Sequence, residues 1–140
     1  MTKKILITFI TTVALILTFM GCSEYSEEDD EKILADETVQ IPALSYQSWD
    51  INLSASATIF VDLEVKNGNG IRFYTVDQEG FEAIKAGKNT FTYFPSLSSN
   101  AATKKLSLSA TVNTGHTYFV TINDNFLSAQ EVYTKIVVKR

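Results

Sequence analysis

Between Thr58 and Lys66 the chain reads TIFVDLEVK, and its side chains alternate. Ile59, Val61, Leu63 and Val65 fall on one side, and Phe60, Asp62, Glu64 and Lys66 on the other. A period of two marks a strand with one buried face and one solvated face. A helix would instead group residues three and four apart. NGNG, Asn67 to Gly70, comes next. Asn and Gly tolerate positive φ, so they reverse a chain with little strain. IRFYTV follows and is again extended in character, so the stretch reads as a β-hairpin.

The same period recurs along the rest of the chain. SWDINLS places Trp49, Ile51 and Leu53 on one side. KKLSLSATV does so with Leu106, Leu108 and Ala110, and TYFVTIN with Tyr118, Val120 and Ile122, read as inward-facing. VYTKIVVKR aligns Val132, Thr134, Ile136 and Val138. TFTYFP is extended up to Pro95, and SLSSNAAT and DNFLSAQ read as loops. Glu82 to Lys85 fits either one helical turn or a short edge strand, and no stretch reads as an amphipathic helix. About seven to nine strands with turn signals every ~8–12 residues describe an all-β fold, a single antiparallel β-sandwich. Its core is expected to hold Trp49 and Phe73 among the inward aliphatics.

The beginning of the chain is different. Lys3 and Lys4 precede the apolar run ILITFITTVALILTFM, Ile5 to Met20. A spanning helix needs about 20 apolar residues, so this run is short for one and has the shape of a secretory signal. Gly21 and Cys22 end it, and Cys22 is the only cysteine, so no intrachain disulfide is expected. The arrangement resembles the signal of bacterial lipoproteins. In that family a peptidase cuts before a cysteine that carries a diacylglyceryl group. Phe19 stands where the family usually has Leu, and Met20 where a small or β-branched residue is commoner. The resemblance implies cleavage between Gly21 and Cys22, lipidation at Cys22, and attachment to a membrane through that lipid. Two or more acyl chains on one residue hold a small soluble domain at a bilayer permanently.

Residues 22–37 carry eight acids and one lysine, Lys32, whereas residues 38–140 carry eight acids and nine bases. High charge with little apolar content favours a disordered, extended tether. The expected organisation is therefore a signal peptide over 1–21, lipidated Cys22 and an acidic tether over 22–37, and a β-sandwich over 38–140. Acidic residues soon after the cysteine also resemble the surface-export signals of some lipoproteins. The near-neutral domain offers no basic patch of the size nucleic acid needs.

SYQSWDINLS, ATIFVDLEVKNGNGIRFYTVDQEGF, TGHTYFVTINDN and VYTKIVVK occur in that order. This succession is similar to the small β-sandwiches of the bacterial pre-peptidase C-terminal and GOLD-like type. The resemblance implies an accessory or binding module without catalysis. Some relatives bind calcium, but Asp77, Asn123, Asp124 and Asn125 do not make a carboxylate-rich loop, so no metal is expected.

Chemistry-bearing motifs are sparse. His116 is the one histidine and is placed in a turn. No Gly-x-Ser-x-Gly elbow, Cys pair, His cluster or phosphate-cradling loop occurs. Asp62 and Glu64 share one outward strand face, which is how a polar surface usually looks. The expectation is no catalytic residue, no cofactor and no enzymatic activity. Aromatic residues are the best binding feature. Phe60, Tyr74, Phe119 and Tyr133 are candidates for an exposed surface that meets an envelope protein or a glycan. The leading expectation is thus a membrane-anchored lipoprotein of the bacterial cell envelope, its domain outside the cytoplasm, acting as a non-catalytic binding or structural module. The alternatives are a carbohydrate-binding accessory lipoprotein and a small cell-envelope hydrolase.

Overall fold

A strand with one apolar face must bury it against another layer, and here two sheets bury theirs against each other. The computed structural model describes residues 31–140. Eight strands occur among them: β1 (Glu31–Ile41), β2 (Ser45–Leu53), β3 (Ala57–Asn67), β4 (Ile71–Val76), β5 (Ser99–Thr103), β6 (Lys105–Val112), β7 (Gly115–Asn123) and β8 (Gln130–Lys139). One sheet has the order β1-β8-β3-β6 and the other β2-β7-β4-β5. Every pairing is antiparallel. The expected β-sandwich is the observed one.

The core lies between the sheets. Ile59, Val61 and Leu63 of β3 face it, as do Val132, Ile136 and Val138 of β8 and Ile71 and Phe73 of β4. Trp49, Ile51, Leu106, Leu108 and Ala110 pack around it, partly buried. In β2, β3, β6 and β8 alternation located these residues correctly because the opposite faces of those strands are mainly polar.

β1 begins at Glu31, within the stretch expected to be a disordered tether. The domain boundary at residue 38 is corrected accordingly. Charge density alone gave the wrong answer because β8 supplies complementary partners. Glu31 stands opposite Lys139 and Asp36 opposite Lys135 in the β1–β8 register. Opposite charges facing each other across an antiparallel pair contribute roughly 0.2–1 kcal/mol each. Ala35 of β1 is buried, and Leu34 packs on the core.

β4 and β7 have apolar residues on both faces, and in β7 the expected orientation is reversed. Phe119 points between the sheets, whereas Tyr118, Val120 and Ile122 point outward. A roof covers that side, burying Val120 and partly burying Tyr118 and Ile122. It consists of helix α1 (Gln78–Lys85) and the segment 86–94, which presses Phe81, Ile84, Phe91 and Tyr93 onto Tyr74, Val76 and Val120. The helix that alternation failed to find starts at Asp77, whose carboxylate accepts the Gly80 N–H at 2.9 Å. Gly80 permits the close approach. A Cβ there would stand 2.8 Å from Val76 Cβ and 2.9 Å from the Thr92 carbonyl oxygen. The TFTYFP stretch lies in this roof rather than in a strand. SLSSNAAT forms part of a 3₁₀ turn, Pro95–Leu97, and β5.

Candidate functional site

Gly21 and Cys22 lie outside the described residues. The four candidate aromatics do not form one surface. Phe119 is wholly buried between the sheets, and Tyr74 is 1% exposed beneath the roof. Tyr74 meets Phe91 and Tyr93 edge-on, with ring centroids 4.9 and 5.1 Å away. Its hydroxyl accepts from Arg72 Nη1 at 2.7 Å and donates to Asn100 Oδ1. Neither ring is available to a ligand, because the roof turns an outer sheet face into a second core. Phe60 and Tyr133 do reach the outer face of the β1-β8-β3-β6 sheet. Phe60 is opposite Val137 and Tyr133 opposite Glu64, so they sit four residues apart, about 13 Å. Lys139 Nζ lies 5.5 Å from the Phe60 ring centroid and covers part of it.

Tyr133 donates its hydroxyl proton to Asp36 Oδ1 at 2.7 Å. That hydrogen bond, with smaller contributions from desolvation and from the charges of Asp36 and Asp62, raises the phenol above the usual value of 10.0. The folded chain therefore holds this proton more tightly than the unfolded chain. The interaction stabilises the fold below the usual tyrosine value and fades as pH rises through the raised one. An ultraviolet phenolate titration, with Tyr133→Phe as the subtraction, should show Tyr133 ionising late. Asp36→Asn should move it back toward 10.0.

The remaining polar candidates are occupied by structural contacts. Asp77 caps α1, and Asp124 accepts both Nε and Nη2 of Arg72. Asp62 accepts from Ser107 at 2.7 Å, and Glu64 pairs with Lys66. His116 lies in β7 rather than in a turn. Its Nε2 is 2.6 Å from Asp50 Oδ2, and its ring stacks on Tyr118. Among the described residues no three His, Cys, Asp or Glu side chains gather as a metal site.

The feature that alternation could not find lies in two loops at one end of the sandwich. Leu44 in the β1–β2 turn is 71% exposed, and Phe126 and Leu127 in the β7–β8 loop are 71% and 79% exposed. These side chains have no period to betray them, because each sits in a loop. The backbone beneath them is fixed by a buried polar network. Asn123 Nδ2 donates to the carbonyls of Ile41, Pro42 and Ser128 at 2.9, 3.2 and 3.1 Å. Its Oδ1 accepts from Asn125 N and from Gln130 Nε2 at 2.9 and 2.6 Å. Gln130 in turn exchanges hydrogen bonds with Gly70, accepting its N–H and donating to its carbonyl, both at 2.8 Å. Two side chains thus bind three loops together. Leu44 adopts φ 55°, an uncommon conformation for leucine, with its N–H donating to the Asn125 carbonyl at 3.1 Å. A depression of about 370 Å³ beside Phe126 and Leu127 is floored by Gly70 and Gln130. Apolar side chains gathered outside the core at one end of a domain are a candidate contact surface.

No protein-family model matches the chain, and no curated protein does. Among solved structures it is similar to the crystal structure of the pre-peptidase C-terminal domain of collagenase from Bacillus anthracis. The identity is 8%, the TM-score is 0.50, and the match covers 73% of this chain and 89% of that one. At that identity the likeness is one of fold: the eight-strand sandwich described above shares the architecture of a pre-peptidase C-terminal domain, as the order of its strand motifs led one to expect.

Proposed function

We propose that this chain is a bacterial lipoprotein, attached to a membrane through Cys22, whose β-sandwich serves the cell envelope as a non-catalytic binding or structural module. The observation that carries the reading is the seam at Gly21–Cys22. A positively headed apolar run ends there, the sole cysteine follows, and acids begin at once. A fold shared with the pre-peptidase C-terminal domain of a collagenase agrees with an accessory role. The binding end is the apolar tip of Leu44, Phe126 and Leu127. β1 starts at Glu31 on the opposite side of the domain and reaches Ile41 beside that tip, about 33 Å away. Glu31, where the described residues begin, therefore lies at the end of the domain far from the tip. Two of the three tip side chains, Leu44 and Leu127, are aliphatic and Phe126 is a lone ring, a composition that suits an envelope protein better than a glycan, since sugars favour platforms of several flat rings and Tyr74 and Phe119 are buried.

The test is the intact mass of protein extracted from membranes of the producing cell. An acylated Cys22 as first residue is the expected result, together with release from the membrane fraction by Cys22→Ser. An unmodified chain beginning at Met1 would sink the proposal.

A further inference from the structure

The β3–β4 turn contains the same dipeptide twice, Asn67-Gly68 and Asn69-Gly70. Asn followed by Gly is the pair most prone to spontaneous deamidation. Without a side chain on the second residue, its backbone nitrogen can approach the asparagine side chain freely. The two copies differ in what holds that nitrogen. Gly70 is buried, and its N–H donates at 2.8 Å to Gln130 Oε1, itself part of the Asn123 network. Gly68 lies at the turn, half-buried, and among the described contacts nothing accepts its N–H. Asn67 is exposed at the last position of β3.

We infer that Asn67 is a self-modifying site and that Gln130 protects Asn69 from the same reaction. Gly68 N attacks Asn67 Cγ and loses its proton. The new N–Cγ bond closes a five-membered succinimide while the Cγ–Nδ2 bond breaks and nitrogen leaves as ammonia. Water then opens the ring at either carbonyl, giving aspartate or isoaspartate, so water and base are the only co-reactants. At Asn69 the attacking nitrogen is already committed, and the reaction must wait for the Gly70–Gln130 bond to open. A reaction that proceeds from an opened state is slowed by the opening equilibrium.

The product has a structural consequence. Asn67 stands opposite Glu131 in the β3–β8 register, so either product sets two acids face to face, an unfavourable cross-strand pair. Isoaspartate also adds a backbone methylene where β3 already shifts register between Val65 and Asn67. This turn adjoins Gln130, so the change falls beside the loops that carry the apolar tip. The inference itself needs no lipid on Cys22 and stands apart from the proposal above.

The experiment ages the full chain in mildly alkaline buffer, folded and in urea, and maps the products by tandem mass spectrometry. Trypsin releases both asparagines in one peptide, residues 67–72, because Lys66 and Arg72 flank them. In the folded chain Asn67 should convert at least about tenfold faster than Asn69; in urea the two rates should approach each other. An isoaspartyl methyltransferase assay should find its substrate at residue 67. Gln130→Ala, if circular dichroism shows it folded, should raise the Asn69 rate more than the Asn67 rate, since Gln130 bonds Gly70 N–H but only packs against Gly68. Equal rates in the folded chain, or faster conversion at Asn69, would overturn the inference, and the folded-versus-urea comparison decides it even if that variant does not fold.

Discussion

Phe119→Ala is expected to remove about 3–5 kcal/mol of folding stability, whereas Phe60→Ala should cost less than about 1 kcal/mol. The two phenylalanines look alike in the sequence. Each interrupts an alternating strand from the side opposite its main apolar row. Their surroundings differ completely. Phe119 has no exposed surface and sits between the sheets, opposite Trp49 of β2 and Thr75 of β4. Truncation there loses the transfer free energy of a ring and leaves a cavity that two hydrogen-bonded sheets cannot easily collapse. Phe60 is 37% exposed on an outer face, and its loss removes a partial contact with Lys139. Urea unfolding followed by circular dichroism measures both, since Trp49 fluorescence would itself respond to loss of its cross-strand neighbour. A small domain is stable by about 5–15 kcal/mol, so the Phe119 variant stands near the edge of folding. Similar losses at the two positions would refute this assignment of faces.

This contrast explains how far alternation reaches. It is decisive where one face of a strand is polar, as in β3 with Asp62 and Glu64 or β6 with Ser107 and Ser109. It cannot orient a strand that is apolar on both sides. IRFYTV and TYFVTIN are such strands, because one layer of apolar residues meets the opposite sheet and the other meets α1 and the 86–94 segment. The roof was hard to read because α1 has eight residues, too few for a strong 3.6-residue period. Its one clear local signal was Asp77 three residues before Gly80, a capping arrangement. The start of β1 was hidden for another reason. Its acids are matched by Lys135 and Lys139, about a hundred residues later in the chain. A local count of charge cannot include partners that the fold brings in from the far end. The exposed tip has no signature in the sequence because loops carry no period. Leu44, Phe126 and Leu127 stand out because the core is complete without them.

Asn123→Ala is expected to cost about 3–5 kcal/mol, comparable to the loss of a core phenylalanine although the side chain is polar. Asn123 is wholly buried, and both ends of its amide are used. Alanine would remove the donor shared by the carbonyls of Ile41, Pro42 and Ser128 and the acceptor for Asn125 N–H and Gln130 Nε2. Buried groups left without partners carry their full desolvation penalty, and a network loses more than the sum of its pairs. Gln130 would keep its two bonds to Gly70, so the β3–β4 turn should hold while the β1–β2 and β7–β8 loops loosen. Amide hydrogen exchange can resolve this, with protection falling at Asn125, Leu127 and Ser128 and persisting at Gly70. Asn123→Asp separates shape from hydrogen bonding. An ionised carboxylate has the right volume and both acceptor functions, but it would face three carbonyl oxygens without a proton to donate. Burial and those dipoles favour its neutral form, so the folded state would bind a proton more tightly than the unfolded state. Its stability deficit should then shrink as pH falls through the carboxylate range and widen toward neutral pH. A deficit independent of pH would mean that Asn123 acts by filling space, and the rigid presentation of Leu44, Phe126 and Leu127 would need another cause.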